Sequence, residues 1–213
     1  MKDDYIDMDA THRDDAPPKT PIWSILICTI PPRKVMLNAL LNELWYQIND
    51  RELGEDIEIL WLTDEDGERM SIGQKRQDLI NQAKGEYVNF IDDDDWVTPD
   101  YIRKIHTALL KAPDVVGITG TMTINGNQRK SKKFIHSSIH KSYYELDGVY
   151  YRPPNHLNPM KRSIAERVPF EFKSHKEDTD WAMALCELKP YDRELFIKDV
   201  IYYYRYKTKA IWK

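Results

Sequence analysis

Cysteine is scarce in this chain, glycine is thin, and no apolar run is long. The 213 residues contain two cysteines. Cys28 falls in an apolar run and Cys186 in a helical one, and neither has a second cysteine at metal-binding spacing, which argues against a disulfide scaffold, a zinc ribbon or redox catalysis. Glycine occurs eight times, never as a glycine-rich phosphate loop and never in a Gly-x-x-x-x-Gly-Lys-Ser/Thr pattern. The longest apolar runs are strand-sized, too short to span a membrane. The N-terminal stretch MKDDYIDMDATHRDD is acidic and polar, without the basic and apolar regions of a signal peptide, so the expected location is cytoplasmic. Positive charge is not in excess either. A net charge of −4 argues against broad attraction to nucleic acid and leaves only local basic faces, the clearest being Arg129 to Lys133. Internal repeats are missing.

What is present fits a soluble globular chain, 41% apolar and 31% charged, long enough for one well-buried domain and short for two. Residues 1–20 mix acids with Ala16-Pro17-Pro18 and read as a flexible arm; residues 21–213 read as the domain. Residues 22–30 form an apolar strand that ends at Pro31-Pro32-Arg33. Met36, Leu37, Leu40, Leu41, Leu44, Trp45 and Ile48 recur at helical spacing over 33–49. A second strand, 57–62, delivers Thr63-Asp64-Glu65-Asp66-Gly67 into a turn. A helix over 73–84 is closed by Gly85, expected in a left-handed C′ conformation, and a third strand follows. Strand, helix, strand, helix, strand is the pattern of an α/β fold with a mostly parallel central sheet flanked by helices. In such sheets ligands bind at the carboxyl ends of the strands. A helix over 99–110, a strand over 115–124 with the hairpin signal Asn125-Gly126, a return strand over 134–139, an irregular tyrosine-rich region over 141–160, a helix opening at Glu177-Asp178 and a last strand over 199–206 complete the reading.

The richest stretch is GEYVNFIDDDDWVTPDYI, residues 85–102. An apolar strand runs into four aspartates, and extended alternation sends Asp92 and Asp94 one way and Asp93 and Asp95 the other. Adjacent carboxylates about 5 Å apart repel by roughly 3 kcal/mol at an effective dielectric near 20. A divalent cation offsets that, and hard oxygen ligands suit magnesium or manganese bridging to substrate phosphates. The Asp-x-Asp pattern alone carries little, since it occurs five times here; the strand context singles out the central pair. Ordinary structural roles stay open beside the functional ones. Asp93 or Asp95 caps the helix that Pro99 opens, Arg33 starts a helix, Asp64 is a turn acid, Lys75 and Arg76 form a solvated face, Asp178 favours a helix dipole, and His156 is a loop histidine.

Taken together, SILICTI (24–30), the acid ending the second strand, Lys75-Arg76, AKGEY (83–87), FIDDDDW (90–96) and EDTDW (177–181) resemble an inverting family-2 glycosyltransferase of the GT-A, Rossmann-like fold over residues 21–206. The resemblance implies a nucleotide-binding half over about 21–97, an acceptor-binding half over about 98–206, and a nucleotide-sugar donor, commonly a UDP-sugar, held with manganese or magnesium. Carried over position by position, it implies that Thr29, Pro31 and Arg33 lie along the nucleotide, that Asp64 meets the base, and that Lys75 and Arg76 contact the base and diphosphate side. Asp92 and Asp93 then face the donor, Asp94 ligates the metal with Asp92, and Asp178 of the Glu177-Asp178 pair is the general base. Many relatives carry a metal-binding histidine after that base. None follows His175 here, so either His156 fills the role or the metal relies on Asp94, diphosphate and water.

The acceptor implied is a carbohydrate or another hydroxyl-bearing molecule, with Tyr143, Tyr144, Tyr150 and Tyr151 able to stack on a sugar ring. A nucleic-acid acceptor facing Arg129 to Lys133 is the less favoured choice. Competing with transfer are a metal-dependent phosphoryl or nucleotidyl transferase using clustered aspartates, and a noncatalytic nucleotide-sugar-binding module.

Overall fold

The computed structural model describes residues 19–64, 69–125 and 127–206, the side chains of Gln128 and Arg129 excepted. Most of the expected arm, Asp66 of the turn and the basic tail after 206 lie outside the described residues, as does the side chain of Arg129 in the basic run.

Strand β1 (Trp23–Cys28) is buried along its whole length. Trp23, Ile25 and Ile27 enter one core while Leu26 and Cys28 enter the other, as the two-residue period of extended chain requires. β2 (Ile57–Leu62) and β3 (Tyr87–Phe90) flank β1 in parallel, with Cys28 opposite Leu62 and Leu26 opposite Phe90. The three strands therefore end close together, and the polar residues after them share one edge. Helix α1 (Lys34–Asn49) joins β1 to β2, and α2 (Ile72–Gln82) joins β2 to β3. On one face α1 packs Leu37, Leu40, Leu44 and Ile48 into a core shared with α3 (Tyr101–Leu109). The opposite face is covered by α2, a short α4 (Arg162–Ala165) and α5 (Glu177–Glu187).

Beyond β3 the sheet becomes mixed. After β4 (Trp96–Val97) come β5 (Val115–Ile124), β6 (Asn127–His136), β7 (Tyr144–Leu146), β8 (Val149–Arg152), β9 (Met160–Lys161) and β10 (Glu194–Tyr206). The order is β2-β1-β3-β9-β5-β6-β8-β7, with β10 beside β5 and β4. β5 and β6 are antiparallel through the Asn125 turn, as the hairpin signal predicts, but the return strand runs Asn127–His136 rather than 134–139, because it pairs with β5 from the turn onward. Two further stretches differ from expectation. Residues 141–160 contain a hairpin, β7–β8, whose turn residues Asp147 and Gly148 have φ of +50° and +76°, the left-handed geometry of a two-residue hairpin loop. β10 begins at Glu194 rather than Asp199, and its register shifts between Phe196 and Val200 and again between Val200 and Tyr202. Bulges of this kind re-aim the side chains that follow.

Gly85 is not a left-handed cap. Ala83 ends α2 in an extended conformation with φ −62° and ψ 135°, and Gly85 is required by proximity instead: a Cβ there would sit 2.6 Å from Ser24 N and 2.8 Å from Trp23 C. Nor do Asp93 and Asp95 cap α3. Its N-cap is Asp100, which makes no side-chain cap bond and accepts from Thr98 Oγ1 at 2.8 Å. Among the described residues no helix is long and apolar enough to cross a membrane.

Candidate active site

β3 ends at Phe90, so the four aspartates lie in a turn, closed by Asp95 N–H donating to Asp92 O at 3.0 Å. The expected two-and-two alternation is lost for that reason, and each carboxylate finds its own partners. Asp93, 2% exposed, accepts from Thr29 Oγ1 at 2.7 Å and from Arg33 Nη1 at 2.8 Å. Arg33 Nη1 also lies 3.5 Å from Asp94 Oδ2. It is carried there by a single 3-10 turn, Pro31–Arg33, that Pro31 opens. Asp95 points inward and accepts from the Tyr202 hydroxyl and the Arg205 N–H, each at 2.8 Å. Burial, and then the charge of Asp92, push the Asp95 carboxyl well above its usual range. The Asp92 N–H donates to the Tyr202 oxygen at 3.2 Å, so β10 clasps the acidic turn from below.

Lys75 and Arg76 are not a solvated face; both are buried, at 3% and 2% exposure. Lys75 Nζ donates to Thr29 O and pairs with Asp64 Oδ1, both at 2.7 Å, tying the ends of β1 and β2 together. Asp64 also accepts from Met70 N–H at 3.2 Å. The bond from Lys75 outweighs burial and lowers the Asp64 carboxyl. Arg76 lies over the Phe90 ring, 4.9 Å from its centroid. Its Nη2 donates to Asp92 Oδ1 at 3.2 Å and its Nε lies 3.4 Å from Glu177 Oε1. Burial works against charge at Asp92, yet His156 and Arg76 outweigh it and hold that carboxyl well below its ordinary range.

The opposite wall is the start of α5. The chain enters it through Lys176, left-handed at φ +62°, a conformation that costs a non-glycine residue roughly 1–2 kcal/mol. Glu177 turns into the wall toward Arg76, 6% exposed in its side chain, whereas the Asp178 side chain stays 31% exposed. Carboxylates in a first helical turn gain about 0.3–1 kcal/mol from the dipole. His156 sits between the walls. Its Nε2 is 3.5 Å from Asp92 Oδ2 and its Nδ1 3.5 Å from Asp178 Oδ2. Both distances exceed a good hydrogen bond, and neither ring nitrogen has a hydrogen-bond partner among the described residues. It is buried at 5% and tied to the end of β3 by its backbone carbonyl, which accepts from Phe90 N–H at 2.7 Å.

These groups frame an open cleft of about 300 Å³ that includes Arg33, Arg76, Asp92, Asp93, Asp94 and Asp178. A smaller chamber of about 50 Å³ behind it shares Asp92 and Asp178. Every sequence-predicted site residue, Thr29 and Pro31 through Asp178, thus belongs to one linked network or its flanking turn. The cleft also takes in Tyr204, Arg205 and Tyr206, which sequence reading left unassigned in the last strand; the unusual run Tyr202-Tyr203-Tyr204-Arg205 was their only signal. Cys28 lines the cleft too, and burial pushes its thiol up to about 12, so it is not a thiolate at neutral pH. Trp181 is core: it stacks on Phe170 at 4.6 Å and donates to Val168 O at 2.8 Å. Among the described residues, no three His, Cys, Asp or Glu side chains converge as a ready metal cage.

A parallel β2-β1-β3 unit with an acidic turn at its carboxyl edge, extended by a mixed sheet, is the GT-A architecture of nucleotide-sugar enzymes. The model of glycosyl transferase family 2 matches residues 66–198, and the chain belongs to that family. Among solved structures it is similar in fold to S. aureus TarS. The structure of TarS 1–349 is 16% identical with a TM-score of 0.56, covering 86% of this chain and 60% of that one. The same protein in complex with UDP-GlcNAc gives 16% identity and a TM-score of 0.55, covering 87% and 59%. A longer TarS structure gives 17% and 0.55, covering 86% and 36%. The chain thus spans about 60% of the shorter TarS structures. No curated protein sequence matches it significantly.

Proposed function

We propose that this chain transfers a sugar with inversion from a nucleotide-sugar donor, a UDP-sugar, to an acceptor hydroxyl, with Asp178 as general base. One observation carries the reading: the acids of the cleft are sorted. Asp64, Asp92, Asp93 and Glu177 each face Lys75, Arg76 or Arg33 within 3.4 Å, while Asp178, open to the cleft, has no lysine or arginine within ion-pair distance among the described residues and lies 3.4 Å from Thr179 Oγ1 and 3.5 Å from His156. A base for inverting transfer must stand on the acceptor side, free of the groups that neutralise the leaving diphosphate. Asp178 comes from α5 across the cleft from the acidic turn, which meets that demand. Arg33 and Arg76 form the cationic side of the donor cleft, and the TarS complexes with UDP and UDP-GlcNAc support the choice of nucleotide. Glu177 serves as a wall group that fixes Arg76.

Asp94 suits a hard divalent cation. Its carboxylate lines the cleft beside Arg33, 3.5 Å from Nη1, and magnesium commonly uses one or two carboxylates plus substrate phosphates. Asp94, with Asp92 beside it, would hold the ion, and when bound it supplies charge neutralisation at the diphosphate.

Titration of UDP, UDP-glucose and GDP-mannose with manganese and again with EDTA tests the donor site, and turnover of Asp178→Asn tests the base. Loss of about 100- to 10,000-fold in kcat with donor affinity retained is the expected result. Turnover within tenfold of wild type removes Asp178 from the role. Failure of every nucleotide to bind defeats the whole reading.

A further inference from the structure

The small chamber behind Asp178 has a composition that the donor cleft does not explain. Arg152 enters it from the end of β8, and its guanidinium lies over the rings of Tyr143 and Tyr150 at 5.2 and 5.8 Å. Among the described residues no carboxylate lies within ion-pair distance of Arg152, whereas Arg33 and Arg76 each have two. A half-buried arginine clamped on aromatic rings has its planar fork oriented in advance, which suits bidentate recognition of an anion.

Opposite Arg152 in register on β6 is His136, 1% exposed. Its Nδ1 lies 3.2 Å from Asn158 Oδ1. The amide of Asn158 is fixed the other way round, Nδ2 donating to Val116 O at 2.9 Å and Oδ1 accepting from Asn155 N–H at 3.0 Å. The network therefore assigns the ring proton to Nδ1 and leaves Nε2 as a bare acceptor, without a partner among the described residues. Burial lowers His136 to about 3, so the ring is neutral at pH 7. Met122, Phe134 and Leu157 supply the apolar walls. A chamber of about 50 Å³, where roughly 10–15 Å³ admits one water, has room for a carboxylate group rather than a whole sugar ring, and it adjoins the larger cleft at Asp92, Asp178 and Tyr204.

We propose that this chamber takes the carboxylate of an acidic sugar, held on the Arg152 fork beside His136, with the sugar ring in the adjoining cleft at Asp178. The inference rests on the glycosyl-transfer reading. It deepens that reading by naming a substrate class, and the sugar belongs either to the donor or to the acceptor.

Both sources are tested on the full chain with manganese present, in wild type, Arg152→Met and Arg152→Lys. In the donor arm, titration of UDP-glucuronate against UDP-glucose is expected to show at least tenfold preference for the uronate in wild type, collapsing to a ratio near one in Arg152→Met. Arg152→Lys, which keeps the charge and loses the fork, should fall between. In the acceptor arm, UDP release is followed with methyl glucuronide and methyl glucoside, and the same ratio is read from their KM values. A preference in one arm that depends on Arg152 supports the proposal and identifies the source. Absence of such a preference in both arms overturns it. So does a shifted pH profile of kcat in Arg152→Met without any change in uronate preference, because Arg152 would then only balance the charge of Asp178. UDP binding in every variant with no uronate preference leaves the glycosyl-transfer reading standing, whereas no UDP binding at all brings down both.

Discussion

Replacing Arg76 by methionine should destabilise the fold strongly at neutral pH and weakly in acid. Arg76 is 2% exposed and faces Asp92 at 3.2 Å and Glu177 at 3.4 Å. Methionine refills part of the volume over Phe90 and leaves the carboxylates without that cation. Removing one partner of a buried ion pair costs about 3–5 kcal/mol. The Asp92 side chain is 25% exposed, so solvent screens its share and the lower end applies. At roughly 2–4 °C per kcal/mol for a domain of this size, the midpoint should fall by about 6–12 °C. The sign with pH follows from Asp92. Its carboxyl is depressed in the folded state, so its contribution is present above the ordinary carboxylate range near 3.9 and is lost as pH falls through the folded value. The deficit of Arg76→Met should therefore be full at pH 7, begin to shrink only near pH 4, and be smallest at about pH 2. Thermal and urea unfolding with EDTA present measure it. An equal deficit at pH 7 and at about pH 2 would mean that only packing was lost, and no deficit at pH 7 would refute the electrostatic account altogether.

Three further outcomes follow from the same geometry. Asp94→Ala should abolish the manganese dependence of UDP binding in titration while leaving the unfolding midpoint nearly unchanged; a folded variant that keeps the metal effect would move the cation elsewhere. Tyr202→Phe removes the hydroxyl that donates to buried Asp95 and accepts from Asp92 N–H, and should cost about 1–3 kcal/mol in urea unfolding; a loss under 0.5 kcal/mol would show that β10 does not hold the turn. Gly85→Ala places a methyl against the backbone of Trp23 and Ser24, where overpacking costs roughly 1–3 kcal/mol, and a variant as stable as wild type would show that the α2–β3 connection yields.

The first ninety residues were legible because local signals agreed there. Apolar runs of strand length alternated with helical spacing, so the α/β class and the convergence of Thr29, Asp64 and the acidic run were readable before any coordinates. What could not be read was orientation. Alternation of the aspartates failed because β3 stops at Phe90, and no composition signal marks where an apolar strand gives way to a turn. Lys75 and Arg76 are buried through the phase of α2, which packs against β1; a helix wheel shows that the two are neighbours without showing which way the acids reach. Asp147-Gly148 is a strong hairpin signal that the surrounding tyrosines and prolines masked. Arg152, His136 and Tyr204 belong to three strands and meet only through long-range pairing.

Those long-range pairings also explain why so much acid is tolerated at one edge. The sheet delivers Lys75 and Arg76 from α2 under the ends of β1, β2 and β3, and Arg33 from the turn after β1, so that cations hold the acids from beneath and from the side. Asp95, which none of these cations reaches within 4 Å among the described residues, is handed to Tyr202 and the backbone of Arg205. A carboxylate so held is fixed in position, and Asp95, raised well above its usual range by burial and by the charge of Asp92, lies outside the lining of the open cleft. Asp178, open to the cleft, has no lysine or arginine within ion-pair distance among the described residues, and it comes from a helix that begins across the cleft. The sorting of these acids is therefore a consequence of topology: the parallel half supplies Arg33, Lys75 and Arg76, and the later half brings Glu177 to Arg76 and Asp178 to the open cleft.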